Sequence, residues 1–186
     1  MKNTRVPPGQ SLRTDFPVLH FGDIPALNEH TWQFTVAGLV KNPLTFTYKE
    51  FLSLPSAKIV ADFHCVTGWS QLDLRMKGVL FNTIASMAEP FPEAKFVFIP
   101  CDDGYSTNMP ISVAMDSDVI FIYEYEGKPI TPEHGFPVRL MVPKRYAYKA
   151  AKWARGIEFL KNDRKGFWET RGYNNSADPW KEERHE

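Results

Sequence analysis

The chain has 186 residues, of which 43% are hydrophobic and 14% aromatic, a composition typical of one globular domain with a sizeable core. Lys and Arg together number 22, as do Asp and Glu, so the formal net charge is zero. This balance argues against nucleic acid or an anionic membrane as the main partner.

The start of the chain, the length of its apolar runs and its cysteine content bear on where the protein is located. The first ten residues, MKNTRVPPGQ, lack the apolar stretch of a secretory signal, and no apolar run approaches the length of a membrane span. We therefore expect a cytoplasmic protein, or a periplasmic one if an export signal was removed. Two cysteines, Cys65 and Cys101, are too few for a disulfide framework, although the sequence leaves a single bridge between them open.

In the first half of the chain, an extended arm is expected over residues 1–15. The alternating run TWQFTVAGLV (31–40) predicts a strand. Thr47 and Glu50 form a T-x-x-E capping box, which predicts a short helix from Tyr48 that ends by Pro55. A second strand, predicted over residues 57–63, leads directly into the stretch HCVTGWS.

The second half of the chain predicts more strand than helix. In chain order the patterns indicate a helix over 78–88, a strand over 94–101, a turn over 102–108, a short helix over 109–116, and strands over 118–130, 136–143 and 156–161. The tail, 166–186, lacks periodicity. No repeat or linker divides the chain, so we predict one α+β domain over 1–186 with mixed β-sheets and short helices.

Cys65 lies where a strand ends and a glycine turn begins. Free cysteines are often small buried hydrophobes, but a thiolate at such a position can also ligate a metal or react, provided that a positive charge is near. If the strand continues, the neighbouring His64 points to the opposite face.

A metal-free cysteine hydrolase is an alternative interpretation of Cys65. That chemistry needs a base and an orienting group, for which His20 or His134 and Asp102 or Asp103 are candidates. Their spacing gives no support, and the sequence also lacks the C-x-x-C or H-x-x-x-H spacing of a zinc site.

Residues 134–156, HGFPVRLMVPKRYAYKAAKWARG, concentrate positive charge around two prolines. Charge alone would fit a solvated basic loop. Tyr146, Tyr148 and Trp153, however, interleave with the cations, and the small residues of KAAK let the backbone approach a ligand closely. Lys and Arg beside exposed N–H groups suit a phosphate, so this segment is a candidate site for an anionic cofactor.

Tyr173 stands in the tail among Arg171, Asn174 and Asn175. A phenol in such polar company can donate a hydrogen bond or a proton in an active site. The alternative is a packed tail anchored by its aromatic residues.

Together these three segments resemble the molybdenum-cofactor domain of the sulfite oxidase family, over a range from about Phe16 to Trp180. HCVTGWS resembles the cysteine segment of the family, EGKPITPEHGFPVRLMVP with KAAKW resembles its pterin-holding segment, and WETRGY resembles the run that carries its active-site tyrosine. Leu19 replaces the arginine that helps true sulfite oxidases bind an anion. The chain therefore resembles the short bacterial branch more than the true sulfite oxidases, and this branch includes the catalytic subunit of periplasmic methionine sulfoxide reductase.

The resemblance implies a sulfite oxidase-type fold and a set of residue roles. Cys65 would ligate molybdenum through a soft thiolate, and Tyr173 would face the oxo group of the metal. The residues implied as contacts of the pterin or its phosphate are Leu19, His20, Cys101, His134, Arg139, Ala150, Ala151 and Lys152.

The implied activity is a two-electron oxygen-atom transfer on a small sulfur- or nitrogen-oxo substrate. The sequence shows no haem, flavin or iron–sulfur motif, so a separate electron-transfer partner, such as a cytochrome or another haem protein, is expected. A molybdopterin-binding protein without turnover is the alternative from another functional class.

Overall fold

The computed structural model describes residues 5–186, and this part of the chain is mainly strand. The strands are Ser11–Leu12 (β1), Gln33–Gly38 (β2), Leu44–Thr47 (β3), Ala57–Cys65 (β4), Trp69–Leu80 (β5), Phe96–Pro100 (β6), Ser106–Pro110 (β7), Ile120–Tyr125 (β8), Lys128–Pro129 (β9), Arg139–Met141 (β10) and Gly156–Leu160 (β11). The α-helices are Tyr48–Leu52 (α1), Phe81–Ala88 (α2) and Ile111–Ala114 (α3). Short 3-10 helices cover Asp102–Gly104, Pro132–His134, Ala147–Lys149, Glu169–Arg171 and Pro179–Lys181.

The strands form two sheets. One has the order β3-β2-β11-β6-β7. The other runs β1-β5-β8-β10, with β4 also paired to β5 and β9 to β8. The β1–β5 and β2–β11 pairs are parallel, whereas the other named pairs are antiparallel.

The main core lies between the two sheets. Phe34 and Val36 alternate with exposed residues along β2 and are fully buried, as expected for a strand with one covered face. The ring of Phe34 meets that of Phe121 from β8 at a centroid distance of 4.9 Å in a T-shaped contact. This contact joins the two sheets.

The predicted capping box is confirmed. The main-chain N–H of Glu50 donates to the Thr47 hydroxyl, and the Glu50 carboxylate accepts from the Thr47 N–H. Helix α1 begins at Tyr48 and ends at Leu52, before Pro55. The strands predicted over 31–40, 57–63, 94–101, 136–143 and 156–161 and the short helix over 109–116 are also present, with shifted ends. The run 118–130, predicted to be a strand entering a glycine-containing turn, forms β8, a turn at residues 126–127 and the short strand β9.

The sequence missed strand β5, which is the longest in the described chain. Its first half carries polar and charged residues, and its alternation is broken where Asp73 adopts a φ of 59° opposite the irregular pairing between Ala61 and Phe63. A second irregularity follows at Gly78, where an added Cβ would lie only 2.0 Å from the Phe121 carbonyl oxygen. Interrupted alternation weakens the period-two signal on which strand prediction depends.

Two further predictions needed correction. The helix predicted over 78–88 begins only at Phe81, because residues 78–80 still belong to β5 and pair with β8. The turn predicted over 102–108 ends early, since β7 already begins at Ser106 and pairs with β6.

The ends of the described chain lie against the rest of the domain. The predicted arm contributes β1, which pairs with the start of β5, while residues 1–4 of that prediction lie outside the described residues. The tail contains two 3-10 turns. No helix in residues 5–186 is long and apolar enough to cross a membrane.

Candidate active site

A cavity of about 310 Å³ lies between the N-terminal segment and the larger sheet, a volume suited to a small molecule or cofactor. Its lining consists of selected residues from four segments, 16–21, 63–69, 147–153 and 168–173, together with Tyr105 and Arg139. The three segments that the sequence singled out therefore meet at one place.

Cys65 occupies the last position of β4 and lines the cavity. Its side chain is buried, and its Sγ lies 3.1 Å from the Thr67 hydroxyl. A three-residue turn follows, closed by a hydrogen bond from the Gly68 N–H to the Cys65 carbonyl at 3.1 Å. Gly68 has a φ of 98°, which favours glycine at this position.

Both ends of the described chain hold the cysteine turn in place. The Gln10 side-chain amide donates to the Cys65 carbonyl at 3.2 Å, and the Ser11 N–H donates to the Gly68 carbonyl at 2.9 Å. From the tail, the Arg184 guanidinium donates to the Val66 carbonyl. The thiol is therefore presented on a braced turn.

The structure separates His64 from Cys65, as the strand alternation predicted. His64 is buried away from the cavity lining, with Nδ1 2.8 Å from the Ser70 hydroxyl and its ring against Trp180. Burial lowers the pKa of His64.

The geometry gives the cysteine hydrolase no support. Within residues 5–186 the sulfur of Cys65 makes its hydrogen bond with Thr67 rather than with a histidine. His20 Nδ1 lies 3.0 Å from the Gly22 carbonyl, and His134 stacks on Phe16 with the ring centroids 4.8 Å apart. Both cysteines are free, so the open possibility of a disulfide between them is not realised.

Arg139 and Lys152 bring two positive charges to the cavity wall. The Arg139 guanidinium donates to the carbonyls of Ala150 and His134, both at 3.3 Å. Lys152 Nζ donates to the carbonyls of Leu19 and Glu133 at 2.8 and 2.5 Å. Arg139 is 4% and Lys152 9% exposed.

Neither cation has a carboxylate partner in the described chain, where the ion pairs involve other residues. Burial lowers the pKa of Arg139 to about 10. Burial, reinforced by the nearby charge of Arg139, lowers the pKa of Lys152 to about 7. Apart from carbonyl groups, Arg139 contacts the rings of Phe16 and Phe63, and Lys152 contacts that of Trp153. Two buried cations without a hydrogen-bonded carboxylate favour an anion in the cavity.

The other residues predicted to contact a cofactor divide into two groups. Leu19, His20 and Ala150 line the cavity. Ala151 and His134 lie just behind the lining: the Ala151 carbonyl accepts from Leu140 in β10, and the His134 carbonyl accepts from Arg139.

Burial also shifts the pKa values of His134 and Cys101. Burial and the charges of Arg139 and Lys152 lower the pKa of His134 to about 4, so it is neutral near pH 7. Cys101 directly follows β6, outside the cavity lining, and its thiol donates to the Ile99 carbonyl at 3.7 Å. Burial raises the pKa of this thiol well above its ordinary value.

Tyr173 is half-buried in the cavity lining. It is far in sequence from the basic segment, yet its ring contacts that of Tyr148. Its centroid lies 5.2 Å from that of Tyr148 and 4.8 Å from that of Trp168. On its outer side it contacts His185 at 4.8 Å. The ring is thus held among other aromatic residues at the cavity.

Sequence reasoning missed most of the aromatic lining. The unassigned aromatic residues at the cavity are Phe16, Phe21, Phe63, Trp69, Tyr105, Tyr148, Trp153 and Trp168. Tyr148 and Trp153 were noticed for their place among the cations, and Trp168 only as a possible anchor of the tail. The high aromatic content was a signal, but it did not reveal which rings face the cavity.

A two-sheet α+β domain whose cavity sets one thiol near two unpaired cations has the features of a cofactor-dependent enzyme. Residues 21–168 match the protein family described as the oxidoreductase molybdopterin binding domain. The chain belongs to this family.

Several known proteins are similar to the chain. It is 42% identical to "Uncharacterized oxidoreductase YuiH" of Bacillus subtilis (strain 168), over 97% of this chain and 91% of that protein. It is 28% identical to the protein-methionine-sulfoxide reductase catalytic subunit MsrP of Campylobacter jejuni, over 77% of this chain but only 54% of MsrP. Among solved structures, the sulfane dehydrogenase SoxCD of Paracoccus pantotrophus matches with a TM-score of 0.70 at 23% identity, over 77% of this chain and 41% of that chain.

These findings confirm the predicted sulfite oxidase-type molybdopterin-binding fold and the prediction of a molybdenum-cofactor oxidoreductase. The residues fit the cofactor. No group of three or more His, Cys, Asp or Glu in residues 5–186 is arranged to hold a metal ion by itself. One cysteine suffices, however, when a dithiolene supplies further sulfur ligands, and the unpaired Arg139 and Lys152 match a phosphate.

Proposed function

We propose that this chain catalyses two-electron oxygen-atom transfer on a small sulfur- or nitrogen-oxo substrate, with Cys65 as the protein ligand of molybdenum. The observation that carries the proposal is the position of Cys65. It lies on a braced turn in the same cavity as two buried cations, Arg139 and Lys152, that have no carboxylate partner in the described chain.

The braced turn supports a ligand role for Cys65. A ligating thiol must be held in one orientation and deprotonated. The hydrogen bonds to the carbonyls of Cys65, Val66 and Gly68 fix the turn, and the charge of Arg139 interacts favourably with a thiolate at Cys65. The bound molybdenum would supply the two-electron redox change and the transfer of the oxygen atom.

The basic wall supports a role in holding the pterin phosphate. An anion beside Lys152 would favour its charged form and reverse the effect of burial. Ala150 leaves room for close approach of the backbone, and Ala151 and His134 hold the main chain behind it. Leu19, His20 and Cys101 remain proposed contacts of the pterin.

Tyr173 is proposed to donate a hydrogen bond to the oxygen atom that is transferred. Its ring is confined by Tyr148 and Trp168, so its hydroxyl can be presented to a substrate without a large loss of conformational freedom. The surrounding apolar and aromatic lining, with Leu19 in place of a cation, favours a neutral oxo compound over an oxyanion.

Electrons would come from or go to a separate protein, for which a cytochrome or another haem protein is our expectation. A cytoplasmic location, or a periplasmic one if an export signal was removed, likewise stays a prediction.

The full chain, produced in a host that makes the cofactor, provides the test. About one molybdenum per chain is expected by elemental analysis, with reduction of dimethyl sulfoxide or trimethylamine N-oxide by reduced methyl viologen. In Cys65→Ser the thiolate-to-metal absorption should vanish and turnover should fall by roughly 10²-fold or more. The ligand assignment is wrong if that variant keeps both, and the enzyme assignment is wrong if wild-type protein binds molybdenum but turns over no oxo compound.

A further inference from the structure

A buried ion pair lies directly behind the cavity. Lys149 Nζ lies 2.6 Å from Glu169 Oε1, and both side chains are 1% exposed. The pair joins the 3-10 turn of the basic segment to the 3-10 turn of the tail. Neither residue lines the cavity, so the cofactor contacts proposed above do not account for it.

The pair is the centre of a buried polar network. Lys149 Nζ also donates to the Asn108 carbonyl at 2.7 Å, and the Thr107 hydroxyl donates to Glu169 Oε1 at 2.9 Å. The Asn108 side chain accepts from the Gly166 N–H at 3.1 Å. Strand β7, which carries Thr107 and Asn108, thus fastens the basic segment and the tail to the same place.

A buried pair of this kind is a poor source of stability by itself. Desolvation of two charges offsets most of their attraction, and apolar residues of similar size often stabilise a protein as well or better. Burial lowers the pKa of Lys149 even though Glu169 opposes that shift. A network with this cost has a better-supported role in specifying one arrangement of the chain.

The arrangement that it specifies includes the cavity wall. Tyr148 and Ala150 flank Lys149 and line the cavity, and Trp168 precedes Glu169 and lines it as well. The rings of Tyr148 and Trp168 both contact Tyr173. The Tyr148 hydroxyl donates to the Asn174 carbonyl at 2.6 Å, directly after Tyr173.

From these contacts we infer that the Lys149–Glu169 ion pair is a positioning device that holds Tyr148 and Trp168 against Tyr173 and so fixes the orientation of the Tyr173 ring in the cavity. The catalytic consequence rests on the proposed role of Tyr173. The positional consequence does not, and it can be measured on protein without cofactor.

Fluorine NMR of the full chain labelled with 3-fluorotyrosine tests the position of the ring. The chain has seven tyrosines, and Tyr148→Phe and Tyr173→Phe assign the two signals of interest. The variant Lys149→Met/Glu169→Leu removes the pair without leaving a buried charge. We expect the signals of Tyr173 and Tyr148 to shift or broaden while those of Tyr48, Tyr123 and Tyr125 stay in place. Tyr105 and Tyr146 contact the main chain of Tyr148 and Lys149, so their signals are not used as references.

A second Lys–Glu pair serves as the control: Lys77–Glu124, at 3.0 Å, joins β5 and β8, and its side chains are 31% and 29% exposed. Lys77 lies 5.5 Å from the ring centre of Tyr123. The variant Lys77→Met/Glu124→Leu should therefore move the Tyr123 signal and leave that of Tyr173 unchanged. The inference is overturned if the Tyr173 signal is unchanged in the Lys149/Glu169 variant, or if all signals move together.

If the double variant does not fold, Glu169→Gln replaces it. Glutamine keeps an acceptor for Lys149 and Thr107 but removes the negative charge. A smaller displacement of the Tyr173 signal is expected, and an unchanged signal would overturn the inference.

Turnover of dimethyl sulfoxide by the cofactor-loaded enzyme gives a second readout. Removing the ion pair should lower kcat by roughly tenfold with little change in KM, whereas in a Tyr173→Phe background the same change should cost less than about twofold. Equal losses in both backgrounds would contradict action through Tyr173. If no variant, including wild type, shows turnover, the proposed function fails while the NMR result still decides the positioning role.

Discussion

Lys152 and Leu19 are joined across 133 positions of sequence by a hydrogen bond of 2.8 Å from Nζ to the main-chain carbonyl. The bond ties the N-terminal segment to the basic segment at the cavity wall. Its donor is a buried lysine with a pKa of about 7. The charge state of Lys152 therefore bears on both the stability of the metal-free protein and the binding of an anion.

The stability of the metal-free protein is expected to depend on pH through Lys152. The folded-state pKa, about 7, lies below the ordinary value of 10.5, so between these values the unfolded chain binds more protons. Stability should therefore rise with pH through this window, by linkage. Urea unfolding of wild type and Lys152→Met between pH 7 and 9 tests this, because the methionine variant should lack that part of the rise. Parallel pH profiles for the two proteins would show that Lys152 does not titrate in this range.

Replacing Tyr173 with phenylalanine should lower turnover without loss of cofactor. Loss of a hydrogen bond made in the transition state typically costs about 10²-fold in kcat. Molybdenum content should stay at the wild-type level, since the ring contacts with Tyr148 and Trp168 do not need the hydroxyl. Tyr123→Phe, in the main core, is the control. An unchanged kcat in Tyr173→Phe would favour a binding protein without turnover or a different proton donor.

Leu19→Arg is expected to change the preference of the site from neutral to anionic compounds. Leu19 lines the cavity and the residue is 52% exposed, so a longer side chain can be accommodated. The variant should raise kcat/KM for sulfite oxidation by roughly tenfold, and added salt should reduce the gain because the effect is electrostatic. Leu19→Met serves as the uncharged control. If arginine gives no gain over methionine, the anion preference is set elsewhere in the cavity.

Truncating Phe34, which packs between the two sheets, should strongly lower the free energy of unfolding. Phe34 is fully buried and meets Phe121 across the sheets, so Phe34→Ala should lower the free energy of unfolding by about 3–5 kcal/mol. Val60, 62% exposed on β4, provides the control, and Val60→Ala should cost less than about 1 kcal/mol. Similar losses in the two variants, measured by urea unfolding, would contradict the packing described.

The helices and strands that could be predicted from the sequence are those with a complete local pattern. The Thr47–Glu50 capping box lies within four residues, and the buried residues of β2 alternate without interruption, so each signal is complete in a short stretch. Strand β5 was not predicted, because its pairing depends on partner strands on both sides and on irregularities at Asp73 and Gly78. Those features arise from contacts far apart in the chain.

The chemistry of the site was also readable, but its geometry was not. The sequence supplied a thiol, a set of cations and a phenol, and the resemblance to a family gave them roles. It could not place Phe16 against His134 or Tyr148 against Tyr173, since these contacts join segments that are far apart in the chain.

Lys149 and Lys152, the two lysines of KAAK, show what the sequence determines and what requires the tertiary structure. By itself the sequence determined that Lys149 and Lys152 lie in a basic, small-residue segment suited to an anion. Only the tertiary structure decided that Lys152 faces the cavity, whereas Lys149 turns away to pair with Glu169. The physical reason is that a buried charge goes where the whole fold supplies its partners. The two lysines are three positions apart, but their partners come from residues 19 and 133 in one case and 108 and 169 in the other.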